Sequence, residues 1–156
     1  MIKPFTSIEE LNQVLGDPTV QNELDWQFHN IESVPIPWPM GIPYIGGGNS
    51  FSIRVHKLMA PIFRALLWDL LTTGYYMLIE DHGGAYTHRT KRLGNALSTH
   101  SYGISWDINV LENPFACTRP PMPYVLVRLF KKHGFCWGGD FEYSDPHHLE
   151  FSVSGL

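Results

Sequence analysis

Ser98-Thr99-His100-Ser101-Tyr102-Gly103-Ile104-Ser105-Trp106-Asp107 decides how this chain is read. From Ile104 to Asn109 apolar and polar residues alternate, which is the period of a half-buried strand. One face carries Ile104, Trp106 and Ile108, and the other carries Ser105, Asp107 and Asn109. Gly103, just before the strand, can adopt backbone angles closed to other residues. His100 therefore lies on the approach to the strand and can curl back towards Asp107. Ser105 is small and leaves room above the strand for a metal.

A second stretch, Trp137 to Phe151, repeats the logic. Strand alternation puts His148 and Glu150 on one face and His147, Leu149 and Phe151 on the other. Asp145 precedes His148 by three residues, across Pro146, which fixes a turn. A catalytic zinc takes three protein ligands and keeps a fourth position for water. His100, Asp107 and His148 are expected to supply the three. Asp145 is then the acid nearest the water and the expected general base, able to take a proton from it. Glu150, on the face of His148, is expected to orient a ligand. His147 is expected to point away from the metal.

The pattern Ser-x-His-x-x-Gly-x-small-x-Asp, followed by Trp-Gly-Gly-Asp and Asp-Pro-x-His-x-Glu, resembles the zinc D-alanyl-D-alanine peptidases and L-alanyl-D-glutamate endopeptidases. That group includes VanX- and VanY-like enzymes and many phage endolysins, and its fold is shared with the hedgehog signalling domain. The resemblance covers roughly residues 84 to 151. It implies an α+β fold, a mainly antiparallel sheet with helices packed against it, and one Zn2+ ion. It also implies an arginine upstream of the histidine motif to stabilise the oxyanion; Arg89 matches best, and Arg92 is the alternate. Ser98 is expected to fix the loop or touch substrate. VanX-like enzymes carry Glu at the position of Asp145 and the endolysin branch often Asp, so the resemblance implies that branch. Ser105, His147 and Leu149 stand where the family usually has Ala, Met and Phe, and none of these departures removes a ligand.

The rest of the sequence narrows the function by exclusion. With 11 Lys and Arg against 15 Asp and Glu, the net charge is −4. No basic cluster is present, which argues against a nucleic-acid partner. The apolar fraction of 44% suits a globular core, and one domain over residues 1–156 is expected, with the motif-bearing part from about residue 50. No apolar run is long enough to cross a membrane and no signal-peptide pattern is seen at the N-terminus, so a wall enzyme is expected either to leave the cell by another route, with release through a phage-made membrane lesion as one fit, or to have been trimmed of its leader. Cys117 and Cys136 lack the close pairing of a cysteine zinc site, and they are either two thiols or one disulfide.

Local patterns give the other elements. Residues 7 to 15 read as a helix capped by Ser7 and ended by Gly16. Asp25 to Val34 reads as a strand. Residues 35 to 49 read as loop, with Trp38 and Tyr44 either packing over the core or rimming the substrate groove. Phe51 to Val55 reads as a strand, and Lys57 to Thr73 as the main helix with Gly74 as its cap. Tyr75 to Ile79 reads as a central strand. Residues 80 to 97 read as irregular. Pro121 to Gly134 reads as a second amphipathic helix, with Val125, Leu126, Leu129 and Phe130 facing the core.

The expected function is zinc-dependent hydrolysis of peptidoglycan stem peptides at the cell wall by a monomer, at an L-alanyl-D-glutamate bond. The alternatives are a D-alanyl-D-alanine carboxypeptidase with the same site, a zinc-binding module without activity, or a structural component of a phage particle.

Overall fold

The computed structural model describes residues 2–20, 22–92, 94–153 and 155–156. The fold is mixed α and β, with four α-helices and antiparallel sheets among the described residues. Strand β1 (Ile31–Pro35) pairs with β4 (Ser52–His56), and the short strands β2 (Ile42–Pro43) and β3 (Asn49–Ser50) form a hairpin between them. The four-stranded sheet runs β5 (His82–Gly84), β6 (Ser105–Ile108), β8 (His148–Glu150), β7 (Cys136–Trp137), all antiparallel.

Helix α1 (Ile8–Leu15) starts where Ser7 accepts a hydrogen bond from the Glu10 amide, and it buries Leu11 and Leu15. Helix α3 (Ala60–Thr73) tolerates Pro61 because its first-turn amides have no partner within the helix. Gly74 ends it in the left-handed conformation, with φ 76°, and its N–H returns to the Leu71 carbonyl. Helix α4 (Tyr124–Lys132) buries Leu126, Val127, Leu129 and Phe130.

The core lies between these helices and the four-stranded sheet. Trp106 of β6 stands 5.9 Å from Phe130 of α4, ring centre to ring centre. Phe135 packs edge-on against Phe63, Phe130 and Phe151. Trp106 and Ile108 are fully buried and form the apolar side of β6, with Ile104 buried just before it, so the opposite side of that strand is committed to its polar residues.

Four local expectations need correction. Residues 25–34 are not one strand: α2 occupies Glu23–Asn30 before β1 begins. Asn22 caps that helix by accepting from the Leu24 amide, and Trp26 is buried while Phe28 is 82% exposed. Tyr75–Leu78 is a 3-10 turn rather than a central strand, because Gly74 has reversed the chain immediately before it. Residues 35–49 include the β2–β3 hairpin, and Trp38 packs inward against Tyr76. On α4 it is Val127, not Val125, that faces the core.

Candidate metal centre

The register of β6 against β8 builds the centre. Asp107 lies opposite His148 and Ser105 opposite Glu150, on one face of the sheet. Trp106 and Leu149, paired between them, face the core. His100 arrives from the 3-10 turn Thr99–Tyr102, whose first residues are capped by Ser98: its hydroxyl oxygen accepts from the His100 amide. Gly103 closes the turn in the left-handed region, φ 65°, and an added Cβ there would sit 2.6 Å from the His56 backbone nitrogen. That turn is what aims His100 back at β6.

Both imidazoles are held from behind. His100 Nδ1 lies 2.8 Å from the Ala85 carbonyl oxygen, an acceptor, so this nitrogen carries the proton and Nε2 is left with a lone pair. His148 Nε2 lies 2.9 Å from Glu150 Oε2, so Nδ1 is its forward atom. Glu150 is itself fixed by the hydroxyl of Thr99 at 2.7 Å, the hydroxyl of Ser152 at 2.8 Å and the amide of Leu156 at 2.7 Å. Ser105 donates in turn to Thr99 at 2.7 Å.

The three forward atoms form a nearly equilateral triangle. His100 Nε2 to Asp107 Oδ1 is 3.0 Å, His148 Nδ1 to Asp107 Oδ1 is 2.9 Å, and His100 Nε2 to His148 Nδ1 is 3.1 Å. Three electron-pair donors, all buried, converge on one point and need positive charge between them. Zinc with bonds of about 2.0–2.1 Å sets tetrahedral ligand edges of about 3.3 Å, so the triangle is close to a zinc-binding face. Two imidazole nitrogens and one carboxylate oxygen are a zinc donor set, and the buried group can hold a metal ion.

The electrostatics say the same. Burial opposes charge on His148, but its hydrogen bonds to Asp107 and Glu150 prevail and push its pKa up to about 10. Burial likewise opposes charge on Asp107, yet His100 and His148 hold it well below the usual carboxylate range. Glu150 is pushed down to about 2 against its burial, mainly by His148. The cluster thus binds a proton tightly, and a divalent cation offers the same lone pairs more charge.

A cleft of about 770 Å3 opens beside the triangle. Asp145, His148, Ser98 and Glu150 line it, together with Arg89 and Arg92. Asp145 reaches it through a close backbone approach: its amide donates to the Gly138 carbonyl at 2.8 Å, and a Cβ at Gly138 would lie 2.2 Å from the Asp145 carbonyl oxygen. Arg89 is anchored by its backbone, its carbonyl accepting from the Ser98 amide and the Ser101 hydroxyl, while its guanidinium, among the described residues, donates to the Thr90 carbonyl at 3.4 Å. The Arg92 guanidinium lies over the Phe115 ring at 4.8 Å. Both arginines face the same cleft, so the geometry does not choose between them.

Residues 92–151 match a peptidase family. Its model is described as D-alanyl-D-alanine carboxypeptidase. The matched segment contains His100, Asp107, Asp145, His148 and Glu150, and leaves Arg89 outside. No curated protein matches the chain, and no solved structure does. The match points to a hydrolase of the metallopeptidase kind, in keeping with a buried group able to hold an ion. No helix among the described residues is long and apolar enough to cross a membrane.

The structure therefore brings His100, Asp107 and His148 to one point, sets Glu150 behind His148, and places Asp145, Ser98 and Arg89 around the adjoining cleft. His147 turns to the other side of β8 and meets Asn113. Sequence reading missed Ala85, which acts through its carbonyl and leaves no side-chain signal. It also missed Thr99, whose hydroxyl ties Ser105 to Glu150. Trp38 and Tyr44 do not line the cleft that holds Asp145, and Cys117 and Cys136 are both free thiols.

Proposed function

We propose that this chain is a zinc-dependent peptidase that hydrolyses stem peptides of peptidoglycan, with residues 1–156 forming one peptidase domain. The observation that carries the proposal is the triangle of His100 Nε2, Asp107 Oδ1 and His148 Nδ1 beside a cleft lined by Asp145. The family match over the same segment supports it.

His100, Asp107 and His148 would hold the ion. When bound, zinc supplies Lewis acidity, which makes water a ready proton donor and polarises a substrate carbonyl. Asp145 accepts the proton of the attacking water, and the hydroxide so formed adds to the peptide carbonyl carbon. As the carbon–nitrogen bond breaks, Asp145 returns the proton to the departing amine. Arg89 or Arg92 lends positive charge to the oxyanion or to a substrate carboxylate. Glu150, held by Thr99, Ser152 and Leu156, keeps the His148 ring turned so that Nδ1 faces Asp107 and His100, with which it would hold the ion.

The favoured bond is L-alanyl-D-glutamate, on the sequence resemblance of Asp145 to the endolysin branch. The description of the matching family favours a second reading, removal of the terminal D-alanine. Synthetic pentapeptide stems incubated with zinc-loaded protein separate the two by mass spectrometry. A new N-terminal D-glutamate supports the endopeptidase, and free D-alanine supports the carboxypeptidase. No product from stems of any chemotype would sink the peptidase reading.

A further inference from the structure

His147 faces away from the metal triangle and reaches the proposed catalytic acid by another route. Its ring is buried, with 6% of the residue exposed. Nδ1 lies 2.7 Å from the Asn113 carbonyl oxygen, and Nε2 lies 3.0 Å from Asp145 Oδ1. The Asn113 carbonyl is an acceptor, so Nδ1 carries a proton there, and Nε2 is the ring atom that meets the Asp145 carboxylate. Nε2 stands at ion-pair distance from Oδ1 but off the line of a straight hydrogen bond, and no described residue gives that oxygen an aligned one. The hold is therefore one of direct contact between the buried ring and that oxygen.

The support behind His147 is rigid. Asn113 donates both its amide and its side-chain Nδ2 to the Asn109 carbonyl, at 3.1 and 2.8 Å. Asn109, in the left-handed region at φ 50°, is pinned by its side chain to Glu80 and Leu78. The His147 carbonyl accepts from the Ile108 amide at 3.0 Å. Asp145 has its backbone fixed, its amide to Gly138 and its carbonyl to the His148 amide. Its side chain is 25% exposed while Oδ1 is buried, so the exposed part of the carboxylate is turned to the cleft.

We propose that His147 is a positioning residue: its imidazole, clamped on the Asn113 carbonyl, fixes one oxygen of Asp145 so that the other is presented to the cleft. The inference rests on reading Asp145 as the proton acceptor. A misplacement of a reacting group by about 1 Å can cost on the order of 100-fold.

The test uses the zinc-loaded full chain with H147M, H147Q, D145A and the double variant D145A/H147M. H147M is expected to keep one zinc per chain and its KM within about twofold, and to lose kcat by about tenfold or more. H147Q, which restores a side-chain N–H, is expected to recover part of that loss. D145A/H147M is expected to be no slower than D145A. Crystal structures of zinc-loaded wild type and H147M are expected to show the Asp145 carboxylate in different rotamers. An unchanged kcat in H147M, or an equal further loss when H147M is added to D145A, would overturn the proposal. If wild type hydrolyses nothing, the peptidase reading falls, and the crystal structures still decide the positioning: an unmoved Asp145 carboxylate in H147M overturns it.

Discussion

Glu150 Oε2 lies 2.9 Å behind His148 Nε2, and it thereby turns Nδ1 of the same ring onto Asp107 and His100. A carboxylate behind an imidazole fixes the tautomer and raises the basicity of the forward nitrogen. Glu150 is 2% exposed and holds three further hydrogen bonds, so its position is set by the fold and not by the ring it supports.

Glu150→Gln removes the charge while keeping the shape. Zinc affinity is expected to fall by about 10- to 100-fold, as is usual for the partner of a ligating histidine. Competition with a chromophoric chelator measures this. An affinity equal to wild type would show that Glu150 does not support the ligand.

Gly138→Ala places a methyl group 2.2 Å from the Asp145 carbonyl oxygen and 3.2 Å from the His148 Cβ. Neither atom is the far end of a flexible side chain, so the backbone carrying Asp145 must shift. The expected result is a loss of roughly 1–3 kcal/mol of stability from overpacking, with turnover falling further than zinc content. Denaturant unfolding, metal analysis and kinetics on one preparation check all three.

His56 is buried, and burial pushes its pKa down to about 4, with Lys57 adding to the shift and the Leu15 carbonyl opposing it. Its hydrogen bonds fit the neutral ring: Nδ1 accepts from the Leu58 amide and Nε2 faces the Leu15 carbonyl. The unfolded chain takes up a proton near pH 6.5 and the folded chain does not until about pH 4. Stability is therefore full above pH 6.5 and falls as pH drops towards 4, by up to about 3 kcal/mol from this group. His56→Gln is expected to flatten that limb of the stability curve, measured by urea unfolding at successive pH values. An equally steep limb in the variant would assign the loss to other groups.

The centre was legible because two of its three ligands, Asp107 and His148, sit on short strands, where alternation sorts side chains by face, and His100 lies in the turn just before one of them. His148 and Glu150 fall together, and His147 falls apart from them, on that rule alone. The sheet register that sets Asp107 opposite His148 has no such local signal, since it depends on pairing between distant segments. The Ala85 carbonyl was invisible for a different reason: a backbone acceptor has no residue identity.

The errors in the fold share a cause. In Glu23–Asn30, Trp26 and Phe28 are two apart and imitate a strand, but only Trp26 is buried. The cap at Asn22 and the acidic first turn were the better evidence. At Tyr75–Leu78 a continuous apolar run read as a buried strand, although Gly74 before it allowed a reversal. Short apolar runs do not separate strand from helix by periodicity.

Metal analysis of the purified, zinc-equilibrated chain beside His148→Ala and Asp145→Ala, with stem-peptide hydrolysis measured on the same samples, bears most directly on the zinc peptidase assignment. Wild type and Asp145→Ala are expected to hold one zinc per chain, His148→Ala is expected to hold none, and Asp145→Ala is expected to keep only a small residual fraction of the wild-type rate of hydrolysis. A wild type that takes up no zinc, or an Asp145→Ala protein that turns over at the wild-type rate, would contradict it.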